Sequence, residues 1–73
     1  MMKKKNKIKI KLNGKTKLIE DKTKIETLIK YYKIPIKKVA IELNRIILDK
    51  KKLKNVKLRN NDQIEIVHFI GGG

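Results

Sequence analysis

Apolar and basic residues alternate strictly in KIKIKL at residues 7–12, the first patterned segment of the chain. Alternation with a period of two is typical of a strand with one buried face. That face carries three aliphatic residues: Ile8, Ile10 and Leu12. Asn13-Gly14 follows, and this pair favours a tight hairpin turn because both residues tolerate positive φ angles. KTKLIE at 15–20 then returns with Leu18 expected on the buried face, so this stretch predicts a β-hairpin.

An amphipathic helix is predicted next, in TKIETLIKYYK at residues 23–33. Four residues fall at the i, i+3, i+4 and i+7 positions of one helix face, which we expect to cover the sheet. They are Ile25, Leu28, Ile29 and Tyr32. Thr23 and Glu26 have the spacing of a capping box, in which each side chain binds a free backbone amide of the first turn. Pro35 is expected to end the helix because it restricts Ile34 to extended geometry.

Two more strands and a loop are predicted in the middle of the chain. KVAIELN at 38–44 alternates again, which places its larger aliphatic residues on one face: Val39, Ile41 and Leu43. RIIL at 45–48 is a short apolar run that predicts a further strand. The three lysines at 50–52 predict a solvated loop.

The closing segment QIEIVHF at 63–69 predicts the last strand, with Ile64 and Ile66 on its inner face. One helix packed on one face of a mixed sheet of four to five strands makes an α+β domain. With the inner face so assigned, the first and last strands can pair in the middle of the sheet, which is the arrangement of the β-grasp, or ubiquitin-like, fold. We expect a single domain over residues 1–69 and a flexible C-terminal tail over 70–73.

Composition argues against an enzyme. The 73-residue chain has no cysteine and no serine, and His68 is its only histidine. It therefore lacks the usual nucleophiles, thiolate metal ligands and any histidine relay. We expect no catalytic residue, no metal site and no bound cofactor.

The net charge of +14 raises the question of nucleic-acid binding. Lysine supplies nearly all of it, with Arg45 and Arg59 as the two arginines, whereas nucleic-acid surfaces favour arginine for bidentate contacts. Isoleucine and asparagine are also abundant, and all three residue types have A/T-rich codons. We therefore attribute the lysines to nucleotide composition rather than to a nucleic-acid surface.

The opening MMKKKNK is basic, but no apolar segment follows it, which is unlike a signal peptide. No stretch approaches the roughly 20 apolar residues of a membrane span. We expect a cytoplasmic protein with no membrane partner.

The final strand is followed directly by apolar and glycine residues, in VHFIGGG at 67–73. Alternation places Val67 and Phe69 opposite the inner face, where they either form an exposed docking patch or pack under a loop. Together with Ile70 they are our candidates for contact with a partner. His68 is expected to be an ordinary polar strand residue because nothing nearby is arranged to make it a base.

Three segments resemble the small sulfur carrier proteins of thiamin biosynthesis, the ThiS family. LNGK at 12–15 is similar to the family's first turn, VAIELN at 39–44 to its central strand, and NNDQIEIVHFIGGG at 60–73 to its closing stretch. The last is the most specific, since the family ends in a glycine pair after this strand. The chain departs from the family in the turn at 60–62, where an Asp-Gly turn is common, and in the lysines at 50–52.

The resemblance implies a carrier function centred on the terminal carboxylate. In the family, an ATP-using adenylyltransferase related to the ubiquitin-activating enzyme adenylates the terminal glycine, here Gly73. A cysteine-derived sulfur donor then displaces AMP and leaves a thiocarboxylate, from which thiazole synthase takes the sulfur. Gly71 and Gly72 would thread the tail into the active sites of these partners, since glycine adopts backbone conformations that other residues resist.

Three other functions remain open from the sequence. The small subunit of molybdopterin synthase uses a similar tail but usually carries proline shortly before the glycines, and this chain does not. A ubiquitin-like protein modifier would be joined to lysines through the same Gly73 carboxyl. A small nucleic-acid-binding protein would be indifferent to the loss of Gly73.

Overall fold

The computed structural model describes residues 6–69. Within them the chain forms five strands and one α-helix, in the order β1 (Lys7–Leu12), β2 (Lys15–Glu20), α1 (Ile25–Tyr31), β3 (Val39–Leu43), β4 (Ile46–Ile47) and β5 (Gln63–His68). Two 3₁₀ helices, Ile36–Lys38 and Lys50–Asn55, lie in the connections on either side of the β3–β4 pair.

The five strands form one mixed sheet in the order β2-β1-β5-β3-β4. β1 and β5 are parallel neighbours in its middle, and the other three pairings are antiparallel. The predicted α+β class, the pairing of the first and last strands and the extra strand at RIIL are therefore confirmed. β5, the strand that precedes the predicted C-terminal tail, therefore has a neighbouring strand on each side and is not an edge strand.

The β1–β2 hairpin closes through a two-residue turn, with φ of 50° at Asn13 and 80° at Gly14. This turn sets Leu12 opposite Lys15, and counting outward sets Lys9 opposite Leu18. Residues directly opposite each other share a face of the sheet, so Leu18 lies on the outer face and is 67% exposed. Its predicted inward position is wrong. Its neighbour Ile19 packs against the core instead.

The core lies between the inner face of the sheet and α1. It consists of ten buried aliphatic side chains: Ile8, Ile10, Ile25, Leu28, Ile29, Val39, Ile41, Leu53, Leu58 and Ile64. Three of the four residues of the predicted helix stripe belong to it. Tyr32 does not, because it follows the last helical residue and remains 38% exposed. No helix in the described part of the chain is long and apolar enough to cross a membrane.

The predicted capping box is absent from the start of α1. The N-cap residue is Lys24, and no side chain caps the helix. Instead the Ile25 amide donates to the Val56 carbonyl at 3.0 Å, and the Thr23 hydroxyl donates to the Glu20 carbonyl at 2.6 Å. Glu26 forms an i, i+4 ion pair with Lys30 at 3.8 Å. The helix start is thus fixed by a distant part of the chain.

The end of α1 is a Schellman motif rather than a proline stop. The Ile34 amide donates to the Ile29 carbonyl at 3.0 Å, and the Lys33 amide donates to the Lys30 carbonyl at 3.1 Å. Lys33 occupies the position that usually carries glycine, with a φ of 54°. The helix therefore ends before Pro35 has any influence on it.

The lysines at 50–52 are exposed, as expected, but they form the first turn of a 3₁₀ helix rather than a loop. Asp49 caps this helix, since its Oδ1 accepts a hydrogen bond from the Lys51 amide at 2.9 Å. The helix turns Leu53 into the core, where it is 5% exposed. The 3₁₀ helix lies beside the end of α1, and a groove separates the two.

Candidate functional site

The end of β5 is the last described part of the chain before the predicted C-terminal tail. β5 pairs with β3 from Ile64 to His68 and with β1 at its own first two residues. Beyond the strand, the Phe69 amide donates to the Lys38 carbonyl at 3.0 Å. The backbone is thus hydrogen-bonded up to Phe69, immediately before the tail. The predicted tail residues Ile70, Gly71, Gly72 and Gly73 lie outside the described residues.

Asparagine side chains extend the pairing of β5 where the strands beside it end. The Asn13 side-chain oxygen accepts a hydrogen bond from the Ile66 amide at 2.7 Å, so the hairpin turn continues the β1 side of the ladder. On the other side, the Asn44 side-chain oxygen accepts from the Gln63 amide at 2.9 Å. The sequence analysis identified Asn13 only as a turn former and gave Asn44 no role. Both residues fix the strand that carries the tail.

Asp62 fixes the beginning of β5. Its carboxylate accepts one hydrogen bond from the Arg59 amide at 2.7 Å and another from the Asn44 side-chain nitrogen at 3.0 Å. The turn before β5 is therefore tied to the turn between β3 and β4. Asn44 and Arg45 form that second turn, and both have positive φ angles, as a two-residue hairpin turn requires.

The outer face of the sheet carries an apolar surface near the tail. Val67 is 48% exposed and Phe69 is 59% exposed, so neither is packed under a loop. Ile47 lies opposite Glu42, which in turn lies opposite Glu65, so these three residues share the outer face with Val67. Ile47 is 69% exposed. We call Val67 and Phe69 the outer patch. Ile47 lies on the same face but in the row of Glu42 and Glu65, across β3; it was missed as a surface residue, although its apolar run was visible.

Charge on the outer face is unevenly distributed. Glu42 and Glu65 are direct cross-strand neighbours, and neither forms an ion pair within residues 6–69. Lys7, Lys9 and Lys11 alternate along β1, away from the outer patch. Like charges directly opposite each other destabilise a sheet, so this pair of carboxylates is expected to weaken the pairing of β3 with β5.

Among residues 6–69 no group of three or more histidine, aspartate or glutamate side chains is placed to hold a metal ion. His68 is exposed at the end of β5, opposite Val39. The features found at the end of the described chain are a hydrogen-bonded strand end and the exposed apolar side chains of Val67 and Phe69.

Comparison with known proteins identifies the family. The model of the ThiS family matches residues 8–73. The sulfur carrier protein ThiS of Bacillus subtilis is 42% identical over 65 residues, which cover 88% of this chain and 98% of that protein. A thiazole synthase of Magnetococcus marinus is 41% identical over 66 residues, which cover 90% of this chain but span only 20% of the synthase.

A solved structure agrees on the fold. The thiamine biosynthesis protein ThiS of Geobacter metallireducens superposes with a TM-score of 0.80 at 23% identity, covering 90% of this chain and all of that one. The β-grasp prediction is thereby confirmed, and so is the resemblance drawn from the three sequence segments. The chain belongs to the ThiS family, the sulfur carrier proteins of thiamin biosynthesis.

Proposed function

We propose that the chain carries sulfur as a thiocarboxylate on the carboxyl group of Gly73. An ATP-using adenylyltransferase transfers AMP to this carboxylate, and a cysteine-derived donor replaces AMP with sulfur. Thiazole synthase then accepts the sulfur. The observation that supports this most strongly is the end of β5, a strand from the middle of the sheet whose backbone is hydrogen-bonded up to Phe69 and which precedes the glycine tail of a ThiS family member.

The chemistry of the carboxyl group supports activation by adenylation. A free carboxylate is a poor electrophile, because its negative charge repels nucleophiles and resonance stabilises it. An acyl-adenylate supplies AMP as a good leaving group and splits one difficult step into two easier ones. Because the chain has no cysteine, no thiol is present to hold sulfur on a side chain. The C-terminal carboxyl is therefore the proposed attachment point for sulfur.

The length of the tail fits delivery into an enclosed active site. Four residues in extended conformation span roughly 13–14 Å, measured from the end of the hydrogen-bonded backbone at Phe69. Gly71 and Gly72 carry no side chain that would obstruct a narrow channel, and Gly73 offers an unhindered carbonyl carbon. The body of the domain would remain outside while its terminus reacts.

The choice of thiazole synthase as sulfur acceptor is supported by the relatives. A region similar to nearly the whole of this chain occurs within the thiazole synthase of Magnetococcus marinus, and another within that of Paramagnetospirillum magneticum. In those proteins a carrier-like region and the synthase share one polypeptide. We infer that the separate chain meets its synthase as a partner.

Alkylation of the terminus tests the proposed function. The chain is incubated with its activating enzyme, ATP and the sulfur donor, and then treated with a thiol-alkylating reagent. Because cysteine is absent, we expect a single label that fragment mass spectrometry localises to Gly73. Intact mass alone is insufficient, since oxidation of Met1 or Met2 adds nearly the mass change of replacing oxygen by sulfur. An unlabelled terminus, with enzyme and donor shown to be active, would contradict the proposal.

The outer patch is proposed to dock on the activating enzyme. We expect Phe69→Ala to weaken binding to that enzyme about tenfold or more, because exposed aromatic residues at interfaces contribute strongly to affinity. The free energy of unfolding should change little, since the ring is 59% exposed. Titration calorimetry and urea unfolding measure the two effects.

The matched control for Phe69→Ala is Tyr31→Ala, which removes a 76% exposed aromatic ring on α1, away from β5. It should leave the affinity for the activating enzyme unchanged. Equal losses in the two variants would show that the outer patch has no special role in docking.

A further inference from the structure

A groove of about 260 Å³ lies between the C-terminal end of α1 and the 3₁₀ helix Lys50–Asn55. Its walls are apolar at the base, where four aliphatic side chains contribute: Ile29, Ile34, Ile36 and Leu53. Three lysines also line it: Lys30, Lys33 and Lys50. Glu26 is the carboxylate among the lining residues, and it is paired with Lys30. The groove therefore combines an apolar base with a positively charged rim.

The Schellman motif fixes the geometry of one wall. Its two hydrogen bonds hold Lys33 and Ile34 against the last turn of α1. Ile29, whose carbonyl accepts the hydrogen bond from the Ile34 amide, is 6% exposed and belongs to the core. On the facing wall Leu53 is anchored in the same way. The base of the groove is thus formed by core residues on both sides, and the exposed lysines form its rim.

The groove is continuous with the base of the tail through Lys50. The Lys50 ammonium lies 5.2 Å from the centroid of the Phe69 ring, which is within the range of a cation–π contact. Lys50 therefore lines the groove and touches the last described residue before the tail. An enzyme that receives the tail must bring its own surface within about 13–14 Å of Phe69, the reach of four extended residues. Because Lys50 joins the groove to Phe69, the groove lies within reach of that surface.

We propose that this groove binds thiazole synthase, through an acidic segment of the enzyme that inserts an apolar side chain between carboxylates. The inference rests on the proposed function. The apolar base fits an aliphatic or aromatic side chain, and the lysine rim is complementary to flanking carboxylates. The groove and the outer patch adjoin where Lys50 contacts Phe69, but they are lined by different residues otherwise. The chain uses the outer patch for activation and the groove for sulfur transfer.

Thiazole synthase, rather than the activating enzyme, is assigned to the groove because of the relatives in which a carrier-like region and thiazole synthase form one polypeptide. A shared polypeptide holds the two at high effective concentration, so a modest contact suffices there. A separate chain lacks this advantage. It needs a docking contact beyond the tail itself, and the groove supplies one with both apolar and charged components.

The test compares two charge reversals in the full-length chain, Lys33→Glu and Lys22→Glu. Both replace an exposed lysine with a positive φ angle, 54° and 67° respectively, and both lower the net charge equally. Lys33 lines the groove, whereas Lys22 precedes α1 at its opposite end. We expect Lys33→Glu to raise the Kd for purified thiazole synthase about tenfold and Lys22→Glu to leave it within about twofold. Raising the salt from about 50 to about 300 mM should weaken the wild type more than Lys33→Glu.

Each other outcome overturns the inference. Equal weakening by the two variants would show that net charge alone attracts the synthase. An unchanged Kd for Lys33→Glu, or no binding of the wild type, would remove the groove as its docking site. Weakened binding to the activating enzyme instead would assign the groove to that partner. Labelling of Gly73 in Lys33→Glu is measured in parallel, so that a failure of the docking site is distinguished from a failure of the thiocarboxylate mechanism.

Discussion

Deletion of Gly73 is expected to lower the initial rate of thiocarboxylate formation at the terminus at least about 100-fold. The deletion withdraws the carboxylate by the length of one residue, roughly 3.3–3.6 Å, while the body remains docked at the same place. Misplacement of a reacting group by as little as 1 Å can cost on the order of 100-fold in rate. The measurement is the initial rate of labelling at the terminus, with the activating enzyme and sulfur donor in excess.

A one-residue deletion at the other end, a chain beginning at Met2, is the control for the Gly73 deletion. It should react at the wild-type rate because it leaves the distance between Phe69 and the reacting carboxyl unchanged. Full labelling of the shortened chain at Gly72 would contradict the assignment of Gly73 as the working terminus. The urea midpoint should be the same for all three chains.

Ile10→Ala is expected to lower the free energy of unfolding by about 3–4 kcal/mol. Ile10 is fully buried on β1, which has a neighbouring strand on each side, and removing such a side chain leaves a cavity that the surroundings fill only partly. A domain of 73 residues has a total stability of roughly 4–11 kcal/mol, so the loss is a large share. With a slope near 1 kcal/mol per molar for so small a domain, the urea midpoint should fall by about 3 M.

Ile47→Ala is the matched substitution for Ile10→Ala, since it removes the same atoms from a strand residue that is 69% exposed. Its cost should stay within about 0.5 kcal/mol. Circular dichroism during urea titration measures both variants. If Ile10→Ala cost no more than Ile47→Ala, the core would not be where the structure places it.

The β-hairpin and the helix could be predicted because their signals are local and mutually consistent. The strict alternation in β1, the Asn13-Gly14 turn and the aliphatic stripe of α1 each indicate one structure. The position of Leu18 could not be predicted from alternation, because Leu18 and Ile19 are adjacent and either can face inward. The register of a two-residue turn decides between them, since it sets Ile8 opposite Ile19.

The start of α1 was mispredicted because its partners are far away in the sequence. The spacing of Thr23 and Glu26 suits a capping box, but the Ile25 amide is already bound by the Val56 carbonyl. The Leu58 amide in turn donates to the Thr23 carbonyl at 2.7 Å, which holds this backbone in place. Contacts across more than thirty positions leave no trace in a local pattern.

The candidate site was predicted in part. Alternation along β5 placed Val67 and Phe69 opposite the inner face but left open whether they were exposed or packed under a loop, and the structure shows them exposed. Ile47 could not be placed on the same face, because its position depends on β3 lying between β4 and β5. The groove was likewise not predicted, since it lies between α1 and the 3₁₀ helix Lys50–Asn55, which are distant in the sequence. To predict a surface that several strands or helices form, the arrangement of these elements must be known, whereas the end of one strand can be predicted from its own sequence.

The central position of β5 has a mechanical consequence for the tail. Under the proposed function, each transfer between enzymes requires the tail to be drawn out of one active site, which would pull on the backbone at Phe69. The antiparallel pairing with β3 extends from Ile64 to His68, so the hydrogen bonds to β3 carry this force first, and the pairing with β1 at Gln63 and Ile64 holds the beginning of the strand. Because β5 is not an edge strand, we expect a pull on the tail to draw it out of an enzyme before β5 separates from the sheet.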